Sequence, residues 1–306
     1  MTTRGDSQTQ SAGGPGGTEL AGLVREVLGD FIADPRRTTQ GPGTDEPAWE
    51  SYLLGFARGD DPLWDDLKNH AGTQHWTPAE AFAASGADCL LHPAELTVIS
   101  WAVCQTEATK AANRLETRMP SEPWARARIY GQEGNRALHH VMLDAFRAAG
   151  YQAVAPSLLP AWSEARPHTD HWSSTWSERH VAYVSGLGTF GLSGGLITAK
   201  GMAVRFGSVV VRAVAQPTLR PYQGPFEYCL HFNGGECFAC VERCPSGSVN
   251  VEGRDKEACA GLLRRSEDYV RLHYGFDGYG CGLCQTAVPC ESGIPEGLTR
   301  AEGAAP

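Results

Sequence analysis

The stretch Cys237-Phe-Ala-Cys240-Val-Glu-Arg-Cys244-Pro245 decides how the C-terminal part of this sequence folds. Its spacing, C-x2-C-x3-C-P, matches the last three cysteines of a bacterial iron–sulfur signature. In that signature, short loops place thiolates around one cluster, and the final cysteine ligates a second cluster. The spacing therefore predicts a pair of iron–sulfur clusters in this region.

The first cysteine of the signature is replaced here, because Gly234 stands at its position. We expect Cys229, eight residues before Cys237, to take over its role. A second group of thiols with looser spacing follows at Cys259, Cys281, Cys284 and Cys290. The sequence thus offers four thiols in each group.

Eight cysteines suffice for two [4Fe–4S] clusters if each group lends one ligand to the other. One cluster then takes Cys229, Cys237, Cys240 and Cys290, and the other takes Cys244, Cys259, Cys281 and Cys284. A pair of zinc sites is the alternative, since C-x2-C pairs also hold structural zinc. Zinc needs neither the C-x3-C-P step nor a shared ligand, so the motif favours iron–sulfur. The remaining two, Cys89 and Cys104, are predicted to be buried small hydrophobic residues.

Composition predicts a globular protein of the cytoplasm. The chain has 306 residues, of which 42% are hydrophobic and 20% are charged, so it can form a sizeable core. Its formal net charge of −9 gives no general attraction to nucleic acid or anionic lipid. No apolar stretch is long enough for a membrane span, and no export signal is evident. In a reducing compartment, crowded cysteines are typical of metal binding rather than of disulfides.

The spacing of apolar residues predicts alternating helices and strands, as in an α/β or α+β layer domain. Helices are predicted over residues 19–33, 48–59 and 135–149. Two further helices are predicted to begin at Thr77-Pro78 and at Glu178. Strands are predicted at 96–103, 151–158 and 202–215.

A glycine-rich stretch, GLGTFGLSGGLIT (186–198), lies between a predicted helix and a predicted strand. Its glycines would let the backbone approach a large flat ligand or a phosphate closely. They are Gly186, Gly188, Gly191, Gly194 and Gly195. Taken alone, such a stretch is more typical of simple turns.

This stretch, followed by VRFGSVVV (204–211) and the two cysteine groups, resembles the cobalamin-dependent iron–sulfur reductases. That family comprises the epoxyqueuosine reductases and the reductive dehalogenases, and the likeness runs from about Arg128 to Pro295. The resemblance implies a nitroreductase-like α/β domain that binds cobalamin and a ferredoxin-like domain whose two [4Fe–4S] clusters supply electrons. Low-valent cobalt performs the reduction in that family.

The expected fold class is therefore α+β. The expected division is a disordered N-terminus (1–18), an N-terminal α/β region (19–127), a cobalamin- and substrate-binding core (128–222), a ferredoxin-like domain (223–298) and a flexible tail (299–306).

The proton donor departs from the family pattern. The position of the catalytic aspartate of the epoxyqueuosine reductases falls on Trp172, whose indole cannot supply a proton in this way. The same segment, PHTDHW (167–172), contains Asp170, His168 and His171. We expect one of these three to act as the acid, or the reaction to differ.

Several other polar residues are weaker candidates. Tyr183 and Tyr130 can donate a proton through their phenols, and Arg205 can polarise a substrate or contact the cofactor. The pair His139-His140 lies in the middle of a predicted helix, and neither has a metal ligand four residues on. We interpret that pair as structural, with one of the two facing solvent.

The resemblance also bears on the partners. We expect the C-terminal region with which the epoxyqueuosine reductases engage tRNA to have no counterpart here, since only 16 residues follow Cys290. We therefore predict a small-molecule substrate rather than nucleic acid, with reduced ferredoxin or flavodoxin as electron donor. Two alternatives remain: a ferredoxin-type electron-transfer protein without corrin, and a cobalamin-binding carrier.

Overall fold

The computed structural model describes residues 17–86, 91–165 and 173–298. Its strands are β1 (Ser51–Arg58), β2 (Leu96–Cys104), β3 (Ala153–Val154), β4 (Glu164–Ala165), β5 (Ser173–Ser174), β6 (Gly188–Phe190), β7 (Leu196–Thr198), β8 (Val204–Arg212), β9 (Val249–Asn250) and β10 (Gly253–Arg254). Its helices are α1 (Gly17–Ala33), α2 (Pro35–Thr38), α3 (Leu63–His70), α4 (Pro78–Ala84), α5 (Glu107–Arg114), α6 (Glu122–Ala148), α7 (Glu178–Val184), α8 (Ala239–Glu242) and α9 (Lys256–Tyr274). The mixed α+β class is as predicted.

A four-stranded antiparallel sheet in the order β1-β2-β8-β3 forms the centre of the molecule. All nine residues of β2 are buried, as expected for a central strand covered on both faces. Val98 and Ala102 belong to one core cluster, whereas Ile99 and Trp101 belong to the other. This alternation follows from the two-residue period of a strand and means that helices cover both faces.

Helices α1 and α6 cover one face of the sheet. The buried residues of α1, Leu20, Val24, Leu28 and Phe31, recur at helical spacing, which confirms the predicted helix. The predicted helix over 135–149 is the second half of α6, whose first turn is capped by the Ser121 side chain. On the other face, α7 packs with α3 and with the cysteine-bearing segment.

Three predicted elements need correction. Residues 48–59 do not form a helix: β1 occupies 51–58 and pairs with β2. Gly55 disfavours a helix and lets the strand lie against α7, where a side chain would overlap the carbonyl of Ser185. The strand predicted at 151–158 is only the two residues of β3, since Pro156, which has no N–H, opens a helical turn. Helix α1 begins at Gly17, inside the N-terminus predicted to be disordered.

One edge of the sheet is largely uncovered. β3 pairs only with Val210 and Val211 of β8, so within the described ranges residues 204–209 have no strand on that side. The same sheet joins β1 and β2 of the region 19–127 to β3 and β8 of the region 128–222. The helices that the structure describes include none with the length and apolar character of a membrane span.

Candidate active site

A cavity of about 600 Å³ lies along the uncovered edge of β8. Val204, Arg205 and Phe206 of that strand line it, together with residues of α6, α7 and α9. Its volume falls within the range of about 300–1,000 Å³ that small-molecule sites occupy. The cavity is therefore large enough to hold an organic ligand.

Four cysteines from different elements meet at the wall of this cavity: Cys244, Cys259, Cys281 and Cys284. Cys259 lies in the first turn of α9, Cys244 and Cys281 lie in loops, and Cys284 lies in a short helical turn at Leu283–Gln285. Gly282 makes the turn between the last two thiols possible, because its φ of 67° is in the left-handed region and Trp124 fills the space beside it. Burial raises the pKa of Cys281 to about 12, and the nearby thiol of Cys284 contributes to the rise.

The other four cysteines, Cys229, Cys237, Cys240 and Cys290, line a separate small cleft. Burial, followed by the neighbouring thiols of Cys229, Cys240 and Cys237, raises the pKa of Cys290 to about 12. Crowded buried thiols resist ionisation until a metal binds, because a metal ion stabilises the thiolates that it ligates. The structure thus brings the eight cysteines together as the two sets of four predicted from the spacing. The first set is Cys229, Cys237, Cys240 and Cys290, and the second set is Cys244, Cys259, Cys281 and Cys284.

Cys229 lies with the first set although it stands outside the C-x2-C-x3-C-P run. It precedes a helical turn at Leu230–Asn233, and Gly234 ends that turn with a φ of 79°. A left-handed conformation favours glycine at this position. The turn accounts for the glycine at the position of the missing cysteine and carries the chain back toward Cys237.

The two sets of thiols are neighbours. After burial, the largest influence that raises the pKa of Cys240 comes from Cys284, which belongs to the other set. Among the described residues, no three His, Cys, Asp or Glu side chains are arranged to hold a single metal ion. Ligands of one zinc ion converge within about 2.3 Å of it, whereas each ligand of a four-iron cluster binds its own iron.

Two cysteines of the second set have polar partners. Burial opposes ionisation of Cys244, but hydrogen bonds from the hydroxyls of Ser248 and Ser246 and from the backbone of Val249 and Ser246 together outweigh it and lower the pKa of the thiol to about 7. Arg254 donates from Nη2 to the sulfur of Cys259 over 3.1 Å. Both contacts favour a thiolate over a thiol.

The predicted glycines have different surroundings. Gly195 lines the large cavity, and Gly191 lines the cleft of the first thiol set. Gly188 lies in the hairpin of β6 and β7, where a side chain would overlap the carbonyl of Ile197. Gly186 follows α7 with a φ of 84°, and Gly194 has a φ of 70°. Gly195 is thus the one of the five that borders the space for a large ligand.

Arginines give the cavity a positive character that the sequence reading largely missed. Arg205 donates to Gln132 Oε1 over 2.9 Å, and its Nε has no partner among the described residues. Burial first, then the charge of Arg128, lowers the pKa of Arg205 to about 9. Burial lowers the pKa of Arg179, and the nearby charge of Arg254 lowers it further. The Arg179 side chain donates a hydrogen bond to the carbonyl oxygen of Gly194 over 2.6 Å. Only Arg205 was identified from the sequence.

The predicted acids cannot be placed in this cavity. Asp170, His168 and His171 lie outside the described residues, as does Cys89. Tyr183 is buried and stacks on Tyr222 with ring centroids 5.3 Å apart.

Tyr183 and Tyr130 are both absent from the described lining of the cavity, and Tyr130 packs near Phe276. Cys104 is buried in β2, as predicted.

A histidine–glutamate pair in the cavity wall was not anticipated. His139 Nε2 lies 3.8 Å from Glu178 Oε1, and neither atom has a hydrogen-bond partner in the described part of the chain. Both residues line the large cavity. His140, the neighbour of His139 on α6, is exposed. Sequence spacing gives no signal for this pair, since α6 and α7 bring the two residues together only in the fold.

Known proteins resemble part of this chain. An epoxyqueuosine reductase of Staphylococcus aureus (strain NCTC 8325 / PS 47) is 30% identical over 124 residues, which cover 39% of this chain and 30% of the relative. The epoxyqueuosine reductase of Bacillus anthracis is 28% identical over 124 residues, with the same coverage. These relatives confirm the resemblance to a family of oxidoreductases, but the match spans less than a third of their length. No family model matches the chain.

Several solved structures align with most of this chain at low sequence identity. The crystal structure of a selenomethionine-labeled epoxyqueuosine reductase has a TM-score of 0.47 and 16% identity, covering 92% of this chain and 68% of that one. A catabolic reductive dehalogenase in complex with 3-bromo-4-hydroxybenzoic acid has a TM-score of 0.48 and 11% identity, covering 92% and 37%. An epoxyqueuosine reductase with a modified tRNA stem loop has a TM-score of 0.46 and 16% identity, covering 90% and 68%.

Proposed function

We propose that this chain, a relative of the epoxyqueuosine reductases, is a cytoplasmic cobalamin-dependent iron–sulfur reductase of a small organic substrate. The observation that carries the proposal is the position of the second thiol set in the wall of the large cavity. Electrons that reach this set arrive beside the space that a substrate would occupy. Cobalamin, when bound there, would supply low-valent cobalt as the reducing centre.

Two [4Fe–4S] clusters are the cofactors proposed for the thiols. The first would be held by Cys229, Cys237, Cys240 and Cys290, and the second by Cys244, Cys259, Cys281 and Cys284. Four thiols for each cluster fit the ligand set that [4Fe–4S] clusters require. The nearness of Cys240 to Cys284 supports transfer of electrons from one cluster to the other.

The walls of the large cavity fit a polar macrocycle. Gly195 lines the cavity without a side chain, and Arg205 and Arg254 each have an Nε without a partner in the described ranges. Buried unpaired donors are costly unless a ligand accepts from them. We assign these three residues to the corrin site.

An exposed aromatic patch next to the first thiol set supports a protein electron donor, reduced ferredoxin or flavodoxin. Phe226, Phe232 and Phe238 are exposed, and Phe238 directly follows Cys237. The rings of Phe226 and Phe232 lie 4.6 Å apart. Exposed aromatic residues are enriched where proteins meet, so this patch is the proposed docking site.

A modified tRNA is the second candidate substrate. It is favoured by the name of the curated relatives and by the stem loop bound in one solved structure. Reduction of an epoxyqueuosine-containing stem loop by the loaded protein would establish it. Absence of that reduction, with turnover of small epoxides or halides, would support the small-molecule proposal.

The first experiment is anaerobic purification from cells supplied with cobalamin, followed by absorption spectroscopy and analysis of iron, sulfide, zinc and cobalt. We expect about eight irons and about one cobalt per chain. Eight irons without cobalt would favour the electron-transfer protein without corrin. Cobalt and iron without turnover would favour a cobalamin carrier, and two zincs without iron would refute the cluster assignment.

Cys240→Ala tests the ligand sets. We expect the iron content to fall by about half and reductive turnover to be lost, since one cluster loses a ligand. Cys104→Ala is the matched control, because Cys104 is also buried but belongs to neither set. Retention of all the iron by Cys240→Ala would refute the assignment.

Asp170→Asn tests the acid predicted from the sequence. If Asp170 donates the proton, turnover falls while iron and cobalt contents stay the same. An unchanged rate would clear Asp170 of this role and leave His168 and His171 to be tested in the same way.

A further inference from the structure

The His139 ring has a fixed hydrogen on one nitrogen. Its Nδ1 lies 2.7 Å from the backbone oxygen of Asn135, which can only accept a hydrogen bond. Nδ1 therefore carries hydrogen, and Nε2 of a neutral ring is an acceptor. The ring is held in place by Trp101, whose ring centroid lies 4.7 Å away and whose Nε1 donates to Asn135 Oδ1.

The Glu178 carboxylate is also oriented by its surroundings. Trp176 Nε1 donates to Ser208 Oγ over 2.9 Å, so the hydroxyl directs its own hydrogen to Glu178 Oε2, 2.6 Å away. The other oxygen, Oε1, points toward His139 Nε2 at 3.8 Å. Without a further proton, two buried acceptors would face each other there, which is unfavourable.

The position of the pair matters as much as its chemistry. The His139 side chain is 3% exposed, whereas the Glu178 side chain is 21% exposed, and both line the large cavity. The Glu178 side chain is therefore the more accessible of the two, while its Oε1 atom, which faces His139, is buried. His139 lies behind it and can return a proton to it.

We propose that His139 and Glu178 hold one proton between them and that rotation of the Glu178 carboxyl group, which belongs to the more exposed side chain, delivers it to the substrate during reduction. This inference rests on the proposed function. Each reduction then takes two electrons, supplied singly by a donor protein, and one proton from the pair. For a halide, the carbon–halogen bond breaks, the halide departs with the bonding electron pair, and the two supplied electrons and the proton form the new carbon–hydrogen bond. For an epoxide, both carbon–oxygen bonds break, and the two electrons and the proton yield an alkene and hydroxide. Water reprotonates the pair.

The kinetic test compares Glu178→Gln and His139→Gln with His140→Gln in the fully loaded protein. We expect turnover to fall about 100-fold or more in Glu178→Gln, the contribution typical of a general acid. His140→Gln is the matched control on the same helix and should leave the rate unchanged. Turnover of Glu178→Gln at the rate of the unaltered protein would overturn the proposal.

A spectroscopic test separates a proton-holding role from a structural one. Nitrogen-15 spectra of the oxidised, loaded protein with labelled histidine would report whether His139 Nε2 carries hydrogen, and infrared spectra would report a protonated Glu178. We expect the proton to be found on either His139 Nε2 or the Glu178 carboxyl group. We expect this proton to be absent in Glu178→Gln. Absence of the proton from both groups would refute the pair, even in a protein that turns over.

The two tests also distinguish failure of the inference from failure of the proposed function. A loaded protein that reduces no substrate would refute the function, while the spectra would still decide whether the pair holds a proton. A protein that turns over normally with Glu178→Gln but not with Asp170→Asn would keep the function and refute the pair.

Discussion

Arg254 brings a positive charge to one proposed cluster ligand. Its Nη2 donates to the sulfur of Cys259 over 3.1 Å. Hydrogen bonds and positive charge near a ligand sulfur stabilise the more negative, reduced cluster. We predict that Arg254→Gln lowers the reduction potential of one cluster, measured by a redox titration followed by electron paramagnetic resonance. Arg264→Gln, which changes an exposed residue of α9, is the control and should leave the reduction potentials of both clusters unchanged. Unchanged reduction potentials in Arg254→Gln would contradict the prediction.

His75 makes the stability of the fold depend on pH. It is fully buried, and burial lowers its pKa from 6.5 to about 4, while its Nε2 accepts from the Ser177 backbone N–H. The unfolded chain therefore binds the proton more tightly. The contribution of His75 to stability is complete above pH 6.5 and is lost progressively as the pH falls toward 4.

We expect His75→Gln, which keeps an acceptor, to reduce the loss of stability between pH 7.5 and 5.5. The reduction should be about 1 kcal/mol, or about 2–4 °C in Tm. Melting curves at the two pH values measure it. His140→Gln changes an exposed histidine and should leave the pH dependence of Tm as in the unaltered chain. The prediction is wrong if His75→Gln also leaves that pH dependence unchanged.

At the scale of elements, the contact between β2 and β8 depends on a glycine. Gly207 pairs with Trp101, and a Cβ at Gly207 would lie 2.5 Å from the fully buried indole ring. The ring cannot move freely, because it donates to Asn135 and packs on His139. Overpacking of this kind costs about 1–3 kcal/mol, so Gly207→Ala should lower the Tm.

Gly22→Ala is the control for Gly207→Ala. Gly22 is exposed on α1 and has no neighbour within 4 Å of an added Cβ. Alanine is favoured over glycine in a helix by about 1 kcal/mol, so this change should raise the Tm. A fall in Tm of equal size for both variants would show that the packing against Trp101 is not the cause.

At the scale of the whole molecule, contacts between α5 and the last cysteine loop link the cysteine-bearing segment to the rest of the fold. Arg114 donates to Glu291, with its Nε 2.9 Å from Oε1, and the Glu291 carboxylate also accepts from the backbone of Ala287 over 2.6 Å. Ala287 has a φ of 56°, which is unfavourable for a residue with a side chain. Burial raises the pKa of Glu291, but the hydrogen bonds from Arg114 and from the Ala287 backbone, together with the charge of Arg114, outweigh it and lower that pKa below its usual range.

We predict that Glu291→Gln loosens the segment that carries Cys284 and Cys290. The loss of charged hydrogen bonds should cost about 2 kcal/mol and speed loss of iron on exposure to a chelator. Glu267→Gln, on an exposed part of α9, is the control. Equal rates of iron loss from both variants would contradict this role for Glu291.

Local sequence was sufficient to predict the features that depend on neighbours in the chain. Cysteine spacing predicted both sets of thiols, and the apolar run of β2 predicted a buried strand. Residues 48–59 were misjudged because Tyr52, Leu53 and Phe56 also fit a helical period, and only pairing with β2 decides their conformation. The pair of His139 and Glu178 depends on the packing of α6 against the sheet edge, which no local pattern encodes.

The two thiol sets border different spaces: Cys237 and its set line the small cleft, whereas Cys284 and its set line the large cavity. Under the proposed function, a reductant seated beside Phe238 lies at the first thiol set, whereas the substrate lies at the second. The two reactants would then not exclude each other, and a saturating concentration of reductant would not inhibit competitively with respect to substrate. Product could leave and fresh substrate could enter while the same donor molecule stayed bound.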